Sequence, residues 1–248
     1  MTALLEARDI WFTYDSRNYT LRGVSMEIQA GKIYMVFGRS GAGKTTLLKI
    51  LKGILKPLKG LVLFKGQPTT SSETAKMAYS SIGYIPQGFG IVSNISVIDN
   101  VLVGALSRVP LLHSLLGQFP REELERAEEV LEIMGLSPLK SQKVSQLSGG
   151  QRQRVAVARA MMQKPLVILA DEFVSQLDPL TATEVLDVFR SLADQRKIAI
   201  VITSHDVHLA SKYADQVLVL RNGEFRLKMN GGSFSESDLI TAMKDETP

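Results

Sequence analysis

The stretch KIYMVFGRSGAGKTTLLKI, Lys32 to Ile50, decides the fold. KIYMVF is a continuous apolar run that reads as a buried strand ending at Gly38. From Thr45 to Leu51, the apolar residues Leu47, Leu48, Ile50 and Leu51 recur at helical spacing. Between them, GRSGAGKT fits G-x-x-x-x-G-K-[ST] in the strand-to-helix context that the motif needs. Bare glycines let backbone N–H groups close around an anion, and a helix N-terminus favours negative charge. The loop Gly38, Arg39, Ser40, Gly41, Ala42, Gly43, Lys44, Thr45 and Thr46 is therefore expected to cradle nucleotide phosphates. Lys44 would reach the β- and γ-phosphates and Thr45 would ligate Mg²⁺.

The flanking sequence supplies the rest of such a sheet. LVILA (Leu166–Ala170) and IAIVIT (Ile198–Thr203) are continuous apolar strands, as in a parallel sheet covered on both faces. Residues Thr181 to Arg196 form the helix between them. Short strands are predicted at Leu61–Phe64 and Ser81–Pro86. Leu4–Ile10 and Thr20–Ile28 alternate like antiparallel strands, joined through the turn-forming DSRN at Asp15–Asn18. Asn222-Gly223 between Gln216–Leu220 and Glu224–Leu227 is a hairpin signal.

From about Gly88 to Lys164 the pattern turns mostly helical. PREELERAEEVLEIM, Pro120 to Met134, has Pro at its start, Glu in its first turn and Gly135 at its end. Leu124, Ala127, Val130, Leu131 and Met134 are its predicted apolar stripe. The reading is a single α/β domain. Residues 1–87 and 165–248 form a core with a mixed, largely parallel sheet and N-terminal antiparallel strands, and residues 88–164 form an inserted helical lobe.

Composition excludes several classes. The chain has 248 residues, 45% hydrophobic and 22% charged, which suits one globular domain with a lobe. A net charge of +4 with no block of like charge argues against a nucleic-acid tail. Without Cys there is no disulfide and no thiolate metal site. MTALLEARDIWF carries early acids and no long apolar segment, so it does not read as a signal peptide. No apolar run approaches the roughly 20 residues of a membrane span, and the chain is expected to be soluble by itself.

Further chemistry lies at the strand ends. In LVILADE, Asp171 would hold Mg²⁺ and Glu172 would act as general base for a water; the competing reading is two acids that merely cap the next segment. Gln87 follows a predicted strand and opens the lobe, so it could sense the γ-phosphate and join Thr45 and Asp171 at the metal, or it could be a solvated loop residue. His205 ends the IAIVITS strand and could hydrogen-bond the γ-phosphate and hold the water. Tyr14 could stack on adenine or be an ordinary core aromatic. His113 and His208 have no partners in the pattern and read as structural. LSGGQRQR, Leu147–Arg154, is a second glycine-bearing turn opening a helical pattern, and thus a second anion-binding element in one chain.

In series, Tyr14, GRSGAGKT, Gln87, LSGGQ, LVILADE, SQLD at Ser175–Asp178 and His205 resemble the nucleotide-binding subunit of an ATP-binding-cassette transporter over essentially the full length. The resemblance implies a P-loop NTPase core with an inserted helical subdomain, ATP and Mg²⁺ as cofactors, and ATP hydrolysis coupled to transport. It implies two subunits packed head to tail. Ser148, Gly149, Gly150 and Gln151 of one would close on ATP held by the other, and Asp178 would link the two sites. It also implies membrane permease subunits, a solute-binding protein as indirect partner, no nucleic acid, and a peripheral position on the cytoplasmic face of the inner membrane.

Soluble cassette ATPases of DNA repair would need a long coiled coil or zinc motifs, and translation-associated ones usually carry two cassettes. This chain has one cassette, no Cys and no sustained heptad. An importer subunit is the expectation that remains. The leucine-bearing insert in Asn100–Leu136 and ADEFVSQLDP resemble phosphonate and phosphite importer ATPases; amino-acid and metal-chelate importers are the alternatives. Four departures from the common pattern stand out: Phe173 in place of Pro after the glutamate, Gln176 in place of a small residue, the flexible Gly88-Phe89-Gly90, and Arg39 in the loop.

Overall fold

The structure, a computed structural model, describes residues 3–110, 113, 117–173, 179–231, 237–239 and 241. Its centre is a six-stranded sheet in the order β10-β9-β3-β8-β7-β6. These strands are β3 (Ile33–Phe37), β6 (Ile82–Ile85), β7 (Val167–Ala170), β8 (Ala199–Thr203), β9 (Gln216–Arg221) and β10 (Glu224–Asn230). All neighbours are parallel except the β9–β10 hairpin. Asn222 and Gly223 form its turn at φ 50° and 79°, the left-handed pair that a tight hairpin matching strand twist requires.

The continuous apolar runs are explained by burial on both faces. Ile33, Met35 and Phe37 point into one core with Ile168, Ile200 and Val219. Tyr34 and Val36 point into the other with Leu169, Val201 and Leu218. Each fully buried aliphatic or aromatic side chain here contributes about 1.5–3 kcal/mol. The first core is covered by α5 (Gly149–Met162), α6 (Pro179–Arg196) and α7 (Val207–Tyr213). The second is covered by α1 (Lys44–Lys52) and by a separate four-stranded antiparallel sheet. That sheet comprises β1 (Leu5–Thr13), β2 (Tyr19–Ile28), β4 (Lys59–Phe64) and β5 (Gln67–Pro68). The DSRN turn closes β1 to β2, with Asp15 Oδ1 accepting from the N–H groups of Arg17 and Asn18 at 2.9 Å each. The antiparallel strands thus form their own sheet, packed against the parallel one.

Between β6 and β7 lie α3 (Val97–Leu102), α4 (Arg121–Ile133) and α5. Asn100 is fully buried and clips the loop before α3, bonding both the N–H and the carbonyl of Val92. The expected stripe of α4 needs one correction. Ala127, Val130, Leu131 and Met134 are buried, but Leu124 is exposed and Glu123 is buried in its place. Arg108 donates two hydrogen bonds to Glu123, at 3.0 and 2.7 Å. The paired guanidinium holds its carboxyl below the usual range and makes burial of the charge tolerable. A helix that the apolar pattern does not announce, α2 (Ser72–Ser81), packs beside β5 and β6. Only Ala78 of it is buried, so it carries no stripe.

Candidate active site

The parallel sheet explains why distant residues meet. The phosphate loop follows β3, His205 follows β8, Asp171 and Glu172 follow β7, and Gln87 follows β6. These four strands are adjacent and parallel, so all their C-terminal ends face one crevice, where open α/β sheets bind ligands.

The loop is shaped by its glycines. A Cβ on Gly38 would lie 2.3 Å from the carbonyl oxygen of Leu220. Gly43 caps α1 at φ 103°, and a Cβ there would meet Thr20 O and Leu21 at 2.8 Å. The first turn of α1 carries no acid, so the positive end of its dipole is left for an external anion. Lys44 is buried. Its Nζ donates to the carbonyls of Gly38 (2.7 Å) and Arg39 (3.2 Å) and lies 3.8 Å from Glu172 Oε1. These oxygens are acceptors of the kind a phosphate supplies.

Glu172 and Gln87 meet at the mouth of the loop: Gln87 Nε2 donates to Glu172 Oε2 at 2.7 Å. Gln87 is exposed, and this bond ties it to the loop's acid. Glu172 sits at φ 46°, a left-handed conformation that costs a non-glycine residue about 1–2 kcal/mol. Its N–H donates to Thr203 Oγ1 at 2.7 Å, and that hydroxyl in turn donates to Asp171 Oδ1 at 2.8 Å. Asp171 is buried, and its Oδ2 has no protein partner among the described residues. A buried carboxylate oxygen at this strand end, with the Tyr84 phenol as a polar neighbour of the carboxyl besides Thr203, fits a metal ion or its water. Tyr84 on β6 is nearby; burial and the charge of Asp171 push its phenol well up.

Tyr14 stands just beyond β1. It is 63% exposed, which removes the core reading. Its ring lies edge-on to Phe12 and its hydroxyl bonds to Thr46 Oγ1 at 3.2 Å. Tyr14, Ser40 to Thr46, Gln87 and Glu172 line one open pocket of about 400 Å³, with Thr20. His205 is exposed at the same sheet edge and does not line that pocket. His113 and His208 are exposed as well. No group of three or more His, Asp or Glu that could hold a metal occurs among the described residues.

LSGGQ is built separately. Ser148 caps α5: its side chain accepts from the Gln151 N–H, and Gln151 Oε1 accepts from the Ser148 N–H at 3.0 Å, a reciprocal capping box. Ser148 and Gly149 are exposed, and Gly150 abuts Thr181 at the start of α6. None of Ser148 to Gln151 lines the pocket of the phosphate loop. The first turn of α5 carries no acid either, so the chain presents two anion-competent helix ends on different parts of its surface. Asp178, with Ser175 and Gln176, lies outside the described residues.

Three contributors escaped the sequence reading: Thr203, Tyr84, and the contact of Phe173 with Phe89. Thr203 had one signal, a hydroxyl closing an otherwise apolar buried strand, which must find partners.

The model of the ABC transporter family matches residues 21–175. A phosphonates import ATP-binding protein PhnC of Treponema denticola is 36% identical over 89% of this chain and 87% of that protein. A second PhnC protein, from Haloarcula marismortui, is 36% identical over 94% and 85%. The dimeric structure of a bacterial ABC transporter cassette superposes with a TM-score of 0.80 at 28% identity, over 93% of this chain and 100% of that one. With the matched model spanning more than half of the residues and relatives this similar along their length, the chain belongs to the ABC transporter family as one of its ATP-binding cassettes.

Proposed function

We propose that this cassette hydrolyses ATP to ADP and phosphate to power a membrane importer of phosphonate-type oxyanions. The observation that carries the chemistry is the meeting of Glu172, Gln87 and Lys44 at the mouth of the phosphate loop. Lys44 and the loop N–H groups hold the β- and γ-phosphates, and Tyr14 stacks on adenine. Glu172 takes a proton from the attacking water. The water oxygen bonds to the γ-phosphorus as the bridging P–O bond to ADP breaks. His205 holds that water or the γ-phosphate. Thr45, Asp171 and Gln87 would hold Mg²⁺, which would neutralise charge on the phosphate oxygens. The unpartnered Asp171 Oδ2 supports this.

The exposed LSGGQ turn, remote from its own loop, supports a head-to-tail pair in which Ser148 and Gly150 complete the partner's site and Asp178 links the two. A solved cassette described as dimeric supports a pair, and relatives named as import ATP-binding proteins support permease partners. Residues 1–87 and 165–248 are the catalytic core and 88–164 a helical signalling lobe, and membrane permease subunits are the partners. A solute-binding protein delivers the cargo. No helix among the described residues is long and apolar enough to cross a membrane, which accords with a peripheral subunit on the cytoplasmic face. The phosphonate cargo is supported by the PhnC relatives and by the insert before α4.

The test is Glu172→Gln. It should keep ATP affinity while phosphate release falls by about 10²–10⁴, and the protein should accumulate as an ATP-bound dimer. Near-normal turnover would sink the assignment. For cargo, the reconstituted transporter should show ATPase activity stimulated by a phosphonate with its binding protein, and not by an amino acid.

A further inference from the structure

Two departures from the common cassette pattern, Phe173 and Gly88-Phe89-Gly90, touch each other. The Phe89 ring meets Phe173 edge-to-face, with centroids 6.2 Å apart at 84°. Phe173 is 1% exposed and packs against Phe189 of α6, centroids 5.4 Å apart. The two loops therefore have two rungs. Gln87 bonds Glu172, and further along, two residues on in one loop and one in the other, Phe89 packs on Phe173.

Both loops are also gripped by α5, the helix that opens at LSGGQ. Gln153, fully buried, donates to the carbonyl of Phe173. Arg159 donates to the carbonyl of Gly90. Backbone strain marks both loops: Phe89 lies at φ 68° and Glu172 at φ 46°. Such conformations persist only where the surroundings over-determine them. The Gln153 Oε1 is buried without a partner among the described residues, so this grip is not fully satisfied in the arrangement seen.

The rungs differ physically. The polar rung is partly open: water can replace either partner, and a phosphate oxygen can replace the Glu172 carboxylate as acceptor for Gln87, at little net cost. The aromatic rung joins the buried Phe173 to the partly buried Phe89, and no solvent contact can replace it. It is the contact able to keep the loops together while Gln87 and Glu172 engage nucleotide.

We propose that Phe89 and Phe173 are a positioning pair that holds the Glu172 backbone against the Gln87 loop and so couples the carboxylate to α5. This rests on the reading of Glu172 as general base. A bland alternative is a core contact that contributes only to stability.

The experiment uses the full chain with Phe89→Leu, Phe173→Leu, the double variant and Phe89→Tyr. Loss of positioning should lower kcat for ATP by about 10–100-fold while KM for ATP stays within about 2-fold, the signature of an interaction made in the transition state. The double variant should be no slower than the slower single one, because both break the same contact. Phe89→Tyr, which keeps the ring edge, should retain wild-type kcat. Unchanged kcat in Phe89→Leu alongside a lowered melting temperature, or effects that multiply in the double variant, would overturn the proposal. Should Phe173→Leu not fold, Phe89→Leu against Phe89→Tyr decides alone. Glu172→Gln in the same assay separates the two readings. If it turns over normally, the general-base reading fails; if it is inactive while Phe89→Leu is not slowed, only the positioning pair fails.

Discussion

Thr203 ties the two acids of the site together: its hydroxyl donates to Asp171 Oδ1 at 2.8 Å and accepts the Glu172 N–H at 2.7 Å. One donor is thereby spent on Oδ1, and Oδ2 stays buried without a geometric hydrogen-bond partner among the described residues. Thr203→Val keeps the shape but removes both bonds. It should destabilise the fold by about 1–3 kcal/mol, because a buried acceptor and a buried N–H are left unpaired. It should also raise the Mg²⁺ concentration needed for half-maximal hydrolysis. Denaturant titration and a Mg²⁺ series check both, and Thr203→Ser should restore the metal dependence.

Tyr14 is exposed, so its truncation should not unfold the protein. Tyr14→Ala should cost about 1–3 kcal/mol of nucleotide affinity by loss of stacking. Tyr14→Phe, which loses only the bond to Thr46, should bind almost normally. Calorimetric titration with ATP distinguishes them. Equal weakening in both variants would shift the role from the ring to the hydroxyl.

Ser148 does not line the pocket that holds Lys44 of its own chain, and on the proposed function it acts in the partner's site. Ser148→Arg should therefore bind ATP but not hydrolyse it, with a stability cost of about 1 kcal/mol from the broken capping box. Mixed with Lys44→Ala chains it should still form dimers with Mg·ATP, and each heterodimer carries one intact composite site and one doubly broken one. In this cysteine-free chain, a Cys pair at Arg39 and Gln151 should cross-link between chains only when ATP is present. Cross-links confined to one chain would defeat the head-to-tail arrangement. ATPase assays on each single Cys variant show that the loop still works.

Lys52, at the end of α1, provides a pH test. It is buried, donates to the carbonyls of Tyr79 and Ile82, and burial pushes its ammonium down to about 8. Above that value the folded chain has released a proton that the unfolded chain, with the ordinary value of 10.5, still holds. Stability contributed at this position should therefore rise as pH increases from about 8 to about 10.5. Lys52→Met should lose that slope. Urea unfolding of both proteins at matched pH values isolates the difference from other alkaline titrations, and parallel curves would refute it.

What could be read without the fold were features governed by neighbours in sequence. The phosphate loop depends on glycines a few residues apart, and Asn222-Gly223 dictates its own hairpin. The strands at Leu166–Ala170 and Ile198–Thr203 were legible because burial on both faces leaves no polar position. Local pattern failed where partners come from far along the chain. Leu124 fits an apolar stripe, but Arg108, distant in sequence, makes Glu123 the cheaper residue to bury. α2 escaped because it buries almost nothing. Thr203, Tyr84 and the Phe89–Phe173 contact depend on β6, β7 and β8 being adjacent, and strand order is a product of the whole sheet. The sequence by itself determined that two phosphate-competent turns exist. Only the tertiary structure decided that they do not share a pocket, because α5 is seated by its packing against α3, α4 and β6 and not by the residues of LSGGQ.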